Sequence, residues 1–207
     1  MPPDVVMVPG LAVSRYLEPT VRRIEETGVR CDLVRLPTSG PPVGIPEYAA
    51  LVAECVGDRE VVLVGHSSGT QVAAAVAGKV AVARLVPGGP TVDPACRTVP
   101  RVMARWLIDG AREPASLAWQ EFPEWGRAGP RRIFTLLRSM LRHPLEDLLA
   151  EVTAPLTVVR GGRDPLCTTG WSSELGGELV TLPGLPHAFP YLDPVAFARI
   201  VVEHCSG

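Results

Sequence analysis

Apolar residues fall along this chain in short β-branched runs, separated by stretches whose apolar positions repeat at helical spacing. The runs cover 5–8, 32–36, 61–64, 82–86, 156–160 and 178–182, and most are nearly continuous in apolar residues. Strands of that kind are buried on both faces, which is the situation inside a parallel sheet. The intervening segments 15–27, 47–56, 70–79, 170–175 and 194–205 predict helices. Pro46 and Pro194 stand where a first helical turn tolerates proline. The alternation predicts an α/β fold, a mostly parallel sheet of about six strands with helices on both faces.

The alternation stops between about 93 and 152, where no strand is apparent. Segments 102–109, 114–120 and 131–140 read as helices, the last set apart by Gly126, Gly129 and Pro130. Trp106, Trp119, Phe122, Trp125 and Phe134 lie here, too much apolar surface for a disordered linker. The stretch reads as a helical cap inserted in a single domain spanning 1–207. Trp106, Trp119 and Phe122 are candidate substrate-binding residues; the plainer role is to pack the cap onto the sheet. Arg127, Arg131, Arg138 and Arg142 would share one face of a single helix. That face is either solvated or receives an acidic partner, such as a carrier protein presenting a thioester.

Composition narrows the partners. The chain has 207 residues, 46% of them hydrophobic, and a formal net charge of −2. That balance gives no reason to expect nucleic acid or an anionic membrane as a partner. No basic region followed by a long apolar stretch marks a signal peptide. Five cysteines are scattered singly, without metal spacing, which reads as free thiols in a reducing, cytoplasmic setting.

The chemistry is concentrated where the run at 61–64 meets "GHSSG". In Gly65-His66-Ser67-Ser68-Gly69 a serine stands at a sharp strand-to-helix turn, and a Cβ on either flanking glycine would collide with its surroundings. The turn lifts the Ser67 hydroxyl clear of the sheet. It also aims the N–H groups of the next helix, that of Ser68 first, at a reacting centre. An acid and then a histidine are expected downstream. Asp164 follows the run 156–160 in "GGRDP", and His187 follows 178–182 in "PGLPHAFP". Asp93, after the run 82–86, is the rival acid. His66, His143 and His204 have plainer explanations.

With these residues in place the chain resembles the α/β-hydrolase superfamily over essentially its whole length, and its small bacterial esterase-like members in particular. The resemblance rests on "VGHSSG", "VVRGGRDP", "LPGLPHAF" and "MVPGLAVSRYLEP". It implies nucleophile Ser67, base His187, acid Asp164, and oxyanion donors from the backbones of Leu11 and Ser68. Pro9 departs from the family's usual histidine before Gly10, and the usual N-terminal hairpin is absent, leaving a trimmed sheet. A serine nucleophile favours esters, thioesters, lactones or amides, with a small-molecule acyl substrate and neither cofactor nor metal. Elimination, cyclisation or lyase chemistry with His187 as base is the alternative, because fold and motif do not choose between them. A non-catalytic binding protein is the third reading, and an intact set of three residues argues against it.

Overall fold

The computed structural model describes residues 3–37 and 39–205. Six strands follow in sequence: β1 (Asp4–Val8), β2 (Cys31–Leu33), β3 (Val61–His66), β4 (Arg84–Gly88), β5 (Thr157–Gly161) and β6 (Glu178–Leu182). They form one sheet in the spatial order β2-β1-β3-β4-β5-β6, and every pair is parallel. The order reverses at β1, whose neighbours are β2 on one side and β3 on the other. Open sheets place their sites outside the carboxyl ends of strands at such a switch.

The apolar runs are explained by which way successive side chains point. β1 turns Val6 and Val8 to one face and Val5 and Met7 to the other; β3 divides Val61 and Leu63 from Val62 and Val64 in the same way. The first face is covered by α2 (Ile45–Val56) and α3 (Gly69–Ala77), with Tyr48, Val52 and Val72 buried against it. The second is covered by α1 (Glu18–Glu25), α9 (Phe189–Leu192) and α10 (Pro194–Glu203), through Ile24, Phe189 and Phe197. Each large apolar side chain taken fully out of water contributes about 1.5–3 kcal/mol. A strand core read as continuous in sequence therefore serves two layers.

The strand expected at 82–86 lies instead at Arg84–Gly88 and runs through Pro87. Proline cannot donate to a sheet ladder and normally ends a central strand. Leu85 N–H bonds to Pro155 and Gly89 N–H to Val159, and Pro87 is the position between them that has no N–H to give. The β4–β5 seam accordingly holds at Leu85 with Leu156 and at Gly88 with Val159.

Between β4 and β5 the cap folds as α4 (Val99–Gly110), α5 (Ala115–Ala128), α6 (Pro130–Arg142) and α7 (Leu145–Leu149). Two expectations are corrected here. Gly126 is not a separator: α5 continues through Pro123 and Gly126 and stops at Gly129, which has φ 75°. Tertiary anchoring overrides the local break. The Glu124 carboxylate accepts the backbone N–H groups of Ser14 and Arg15 and the Ser14 hydroxyl, and the Trp125 indole donates to Leu11 O at 2.9 Å. Arg127 thus belongs to α5, while Arg131, Arg138 and Arg142 lie exposed on α6. The remaining helix, α8 (Thr169–Glu174), is capped by Thr168, which accepts from Trp171 N–H. No helix among the described residues is long and apolar enough to cross a membrane.

Candidate active site

β3 ends at His66 and the chain turns at Ser67 into α3. Ser67 has φ 56°, a left-handed conformation that a serine holds only where its surroundings enforce it. Its N–H donates to Gly88 O at 3.0 Å, and its carbonyl accepts from Thr70 N–H at 3.0 Å and Thr70 Oγ1 at 2.7 Å. The flanking glycines are required by crowding: a Cβ on Gly65 would lie 2.7 Å from Thr70 Cα, and one on Gly69 2.7 Å from Pro9 O.

Asp164 and His187 arrive from the ends of β5 and β6. His187 Nδ1 and Asp164 Oδ2 are 2.8 Å apart, and both residues are buried. The other carboxylate oxygen, Oδ1, accepts from Leu166 N–H at 2.8 Å and Cys167 N–H at 3.1 Å, which fixes the direction of the acid. His187 Nε2 is buried with no hydrogen-bond partner. Asp93 is engaged elsewhere. It accepts from Ala95 N–H at 2.8 Å and Thr168 Oγ1 at 2.6 Å, and Arg105 stands 3.5 Å away.

Burial by itself would lower the affinity of His187 for a proton. The Asp164 charge and hydrogen bond, with Asp109 and Glu113 behind them, reverse that and raise it to about 9. Asp109 is the residue that sequence reasoning missed at this point: its Oδ1 accepts the His187 backbone N–H at 3.1 Å. Burial raises the Asp109 carboxyl above the usual range, and raises Glu113 to about 8 with help from the neighbouring Asp109. Burial likewise lifts Glu121 to about 7.

The loop after β1 is braced without the histidine that Pro9 displaces. Gly10 N–H donates to the Tyr16 hydroxyl at 3.1 Å, and that hydroxyl lies 2.7 Å from His66 Nδ1. His66 Nε2 is 3.1 Å from the His187 carbonyl. One donor order satisfies every group: Tyr16 O–H gives to Nδ1, and Nε2–H gives to the carbonyl. Burial, then the neighbouring His187, holds His66 well below its ordinary value, so it stays neutral as this order requires. His66, plain in sequence, thereby ties the Gly10 loop to the His187 loop.

Leu11 and Ala12 have φ 37° and 63°. The Leu11 N–H donates to Ser68 Oγ at 2.7 Å, while its carbonyl is held by Trp125. The peptide is pinned at both ends, with the Ser68 side chain on the N–H that the resemblance assigns to an oxyanion.

Ser67 and His187 open into one cavity of about 120 Å³. Its walls are mainly apolar, with Trp106, Met103, Trp125, Leu137 and Met140 among them, and Thr91, Glu113 and Glu121 supply polar atoms. Of the three aromatic residues singled out as substrate-binding candidates, Trp106 lines this cavity. Trp119 and Phe122 do not; they are 79% and 64% exposed. Trp119 faces away from the side of α5 that carries Leu117, Glu121 and Trp125, and Phe122 packs edge-on against the Trp125 ring at 5.7 Å. Among these only spacing separates inward from outward residues: 117, 121 and 125 are four apart and share a face.

A family model described as the alpha/beta hydrolase family matches residues 5–200. The chain belongs to the alpha/beta hydrolase family. Solved structures agree on the architecture. A hydrolase from Oleispira antarctica, olei00960, superimposes with a TM-score of 0.79 at 12% identity, covering 99% of this chain and 91% of its own. MGS-MChE2, an alpha/beta hydrolase enzyme from a lagoon-sediment metagenome of Mar Chica, Morocco, gives 0.72 at 16% identity, with 98% and 90% covered. The thioesterase domain from the curacin biosynthetic pathway gives 0.69 at 17%, with 97% and 91% covered. At such identities the likeness concerns the fold. No curated protein matches the sequence. As an alpha/beta hydrolase the molecule is an enzyme of the hydrolytic class, built on a fully parallel six-stranded sheet.

Proposed function

We propose that this alpha/beta hydrolase cleaves an ester, thioester or lactone of a small-molecule acyl group through an acyl-enzyme on Ser67. The observation that carries the reading is the buried His187–Asp164 pair at 2.8 Å, whose histidine lines the same cavity as Ser67 and keeps its Nε2 unpartnered. In the mechanism Ser67 Oγ attacks the carbonyl and passes its proton to His187 Nε2. Asp164 holds the imidazole with its proton on Nδ1 and stabilises the imidazolium. His187 then protonates the leaving group, and water, deprotonated by the same Nε2, releases the acid. The oxyanion would be met by the backbone N–H of Ser68 and by the Leu11–Ser68 pair. The exposed guanidinium groups of Arg131, Arg138 and Arg142 suit delivery of the acyl group on an acidic carrier protein. A fluorophosphonate probe followed by mass spectrometry tests the reading: label on Ser67 supports it, and no label on Ser67 sinks it.

A second reading, proton abstraction by His187 without an acyl-enzyme, draws on the Leu11 N–H being engaged by Ser68 Oγ. The two differ over Ser68→Ala. Under the acyl-enzyme reading the hydroxyl accepts from Leu11 and turns its own proton to the oxyanion. Its loss should lower kcat by roughly 10²-fold with little change in KM, the usual consequence of losing one oxyanion donor. An unchanged or faster kcat would mean that the hydroxyl only plugs the loop.

The pH profile is a further test. His187 accepts a proton only when neutral, and its carboxylate neighbours keep it charged to about 9. In the free enzyme kcat/KM should therefore rise with pH through the alkaline range, half-maximal near 9, well above the ordinary histidine value of about 6.5, and level off only above that. A plateau reached by pH 7 would contradict this.

A further inference from the structure

The reaction described above makes and breaks bonds at Ser67 and His187, oriented by Asp164, and three further polar residues of the cavity take no bond-making part in it. Glu113 ends the α4–α5 connection and Glu121 lies one face-turn along α5; both carboxyls border a space otherwise walled by Trp106, Trp125, Val13, Ile133 and Leu137. Neither makes an ion pair among the described residues. Glu113 has Asp109, another acid, as its hydrogen-bond neighbour, and burial disfavours the charge of both. Acids on an apolar wall destabilise the fold unless something completes them. The opposite signal comes from a separate element. Thr91, in the loop after β4, lines the same cavity; the residue is 3% exposed and its buried Oγ1 has no hydrogen-bond partner. Two carboxyls without a salt bridge, within reach of the His187 charge, and a threonine whose hydroxyl has no bond are therefore gathered around one small apolar space.

We propose that the natural substrate carries a primary amine, bound as ammonium between Glu113 and Glu121, on an apolar chain that reaches the carbonyl at Ser67. An ammonium has three donors and no acceptor. It matches a site lined by two carboxyls and a hydroxyl, and its charge favours the ionised form of the carboxyls, which burial otherwise opposes. The apolar walls receive the connecting methylenes. A neutral polar substituent would satisfy a hydrogen bond but leave the carboxyls uncompensated, and a carboxylate substituent would be repelled. The place of the amine in the reaction rests on the acyl-enzyme reading; its binding does not.

Calorimetric binding of hexylamine and hexanol to the wild-type protein tests the site without any turnover. Hexylamine should bind at least 10-fold more tightly, as expected of a hydrogen-bonded charge in a partly desolvated site. The double variant Glu113→Gln, Glu121→Gln, close to isosteric, should bring the ratio near one. Equal binding of the two ligands to the wild type, or a ratio that survives in the variant, overturns the proposal. In a second arm the p-nitrophenyl esters of aminohexanoate, heptanoate and adipate are compared by kcat/KM, with the order amine, then alkyl, then carboxylate expected. Hydrolysis that favours heptanoate over aminohexanoate also overturns the amine proposal. Amine-selective binding without fluorophosphonate labelling of Ser67 would uphold the amine site and instead sink the acyl-enzyme.

Discussion

Ser67→Ala is expected to lower kcat toward activated esters and thioesters by roughly 10⁶-fold, the loss seen when a nucleophile is removed from a site whose groups act as a unit. Residual turnover would come from the oxyanion donors and from binding. The protein should remain folded with nearly the same melting temperature. The left-handed turn at Ser67 is imposed by its backbone bonds to Gly88 and Thr70, and none of these involves the hydroxyl. Alanine meets the same φ of 56° at similar strain. Steady-state rates with a p-nitrophenyl ester, beside a thermal melt, separate chemistry from folding. An unaffected rate ends the acyl-enzyme proposal. If Ser67→Ala retains product formation while His187→Ala abolishes it, proton abstraction without a covalent intermediate takes its place.

The sheet was legible because its strands are buried on both faces, so that apolar runs stand out without any need to judge periodicity. Five of the six strands begin and end within two residues of expectation, and β2 stops at Leu33, three residues short of it. β4 is shifted by two, because Pro87 reads locally as an end while the neighbouring Leu85 and Gly89 bonds carry the strand across it. The cap was legible as a helical insertion but not in detail. Gly126 and Pro123 signal breaks that the docking of Glu124 and Trp125 overrides, and this moved Arg127 to a different helix from Arg131. The motif residues Ser67, Asp164 and His187 were legible because each follows its own strand. Tyr16, Thr91, Asp109, Glu113 and Glu121 were not. They come from four separate stretches that meet only when the cap closes over the sheet. A faint signal existed for Glu121, which shares a helical face with Leu117 and Trp125 and has no basic residue four positions away. An acid on an apolar stripe is a mismatch that solvent exposure would not produce.

Asp164→Asn is expected to cost roughly 10⁴-fold in kcat, the loss found when the orienting acid of such a site becomes an amide. The geometry here says why. Leu166 and Cys167 both present N–H groups to Asp164 Oδ1. In asparagine the carbonyl oxygen must stay with those two donors, which leaves the NH₂ facing His187 Nδ1. Nδ1 then has to accept, so the ring proton moves to Nε2, and the atom that should take the Ser67 proton is already occupied. The loss of charge also removes the main support for the imidazolium, so the group that titrates near 9 should fall toward or below its ordinary value. Asp93→Asn is the control. Asp93 serves Thr168, Ala95 and Arg105, so its change should lower the melting temperature and leave kcat within about 10-fold. Rates and pH profiles of the two variants, taken side by side, decide the matter. A severe loss confined to Asp93→Asn would reassign the acid to the end of β4. A severe loss in Asp164→Asn with the alkaline ionisation unmoved would mean that Asp164 supports the loop and not the charge of His187.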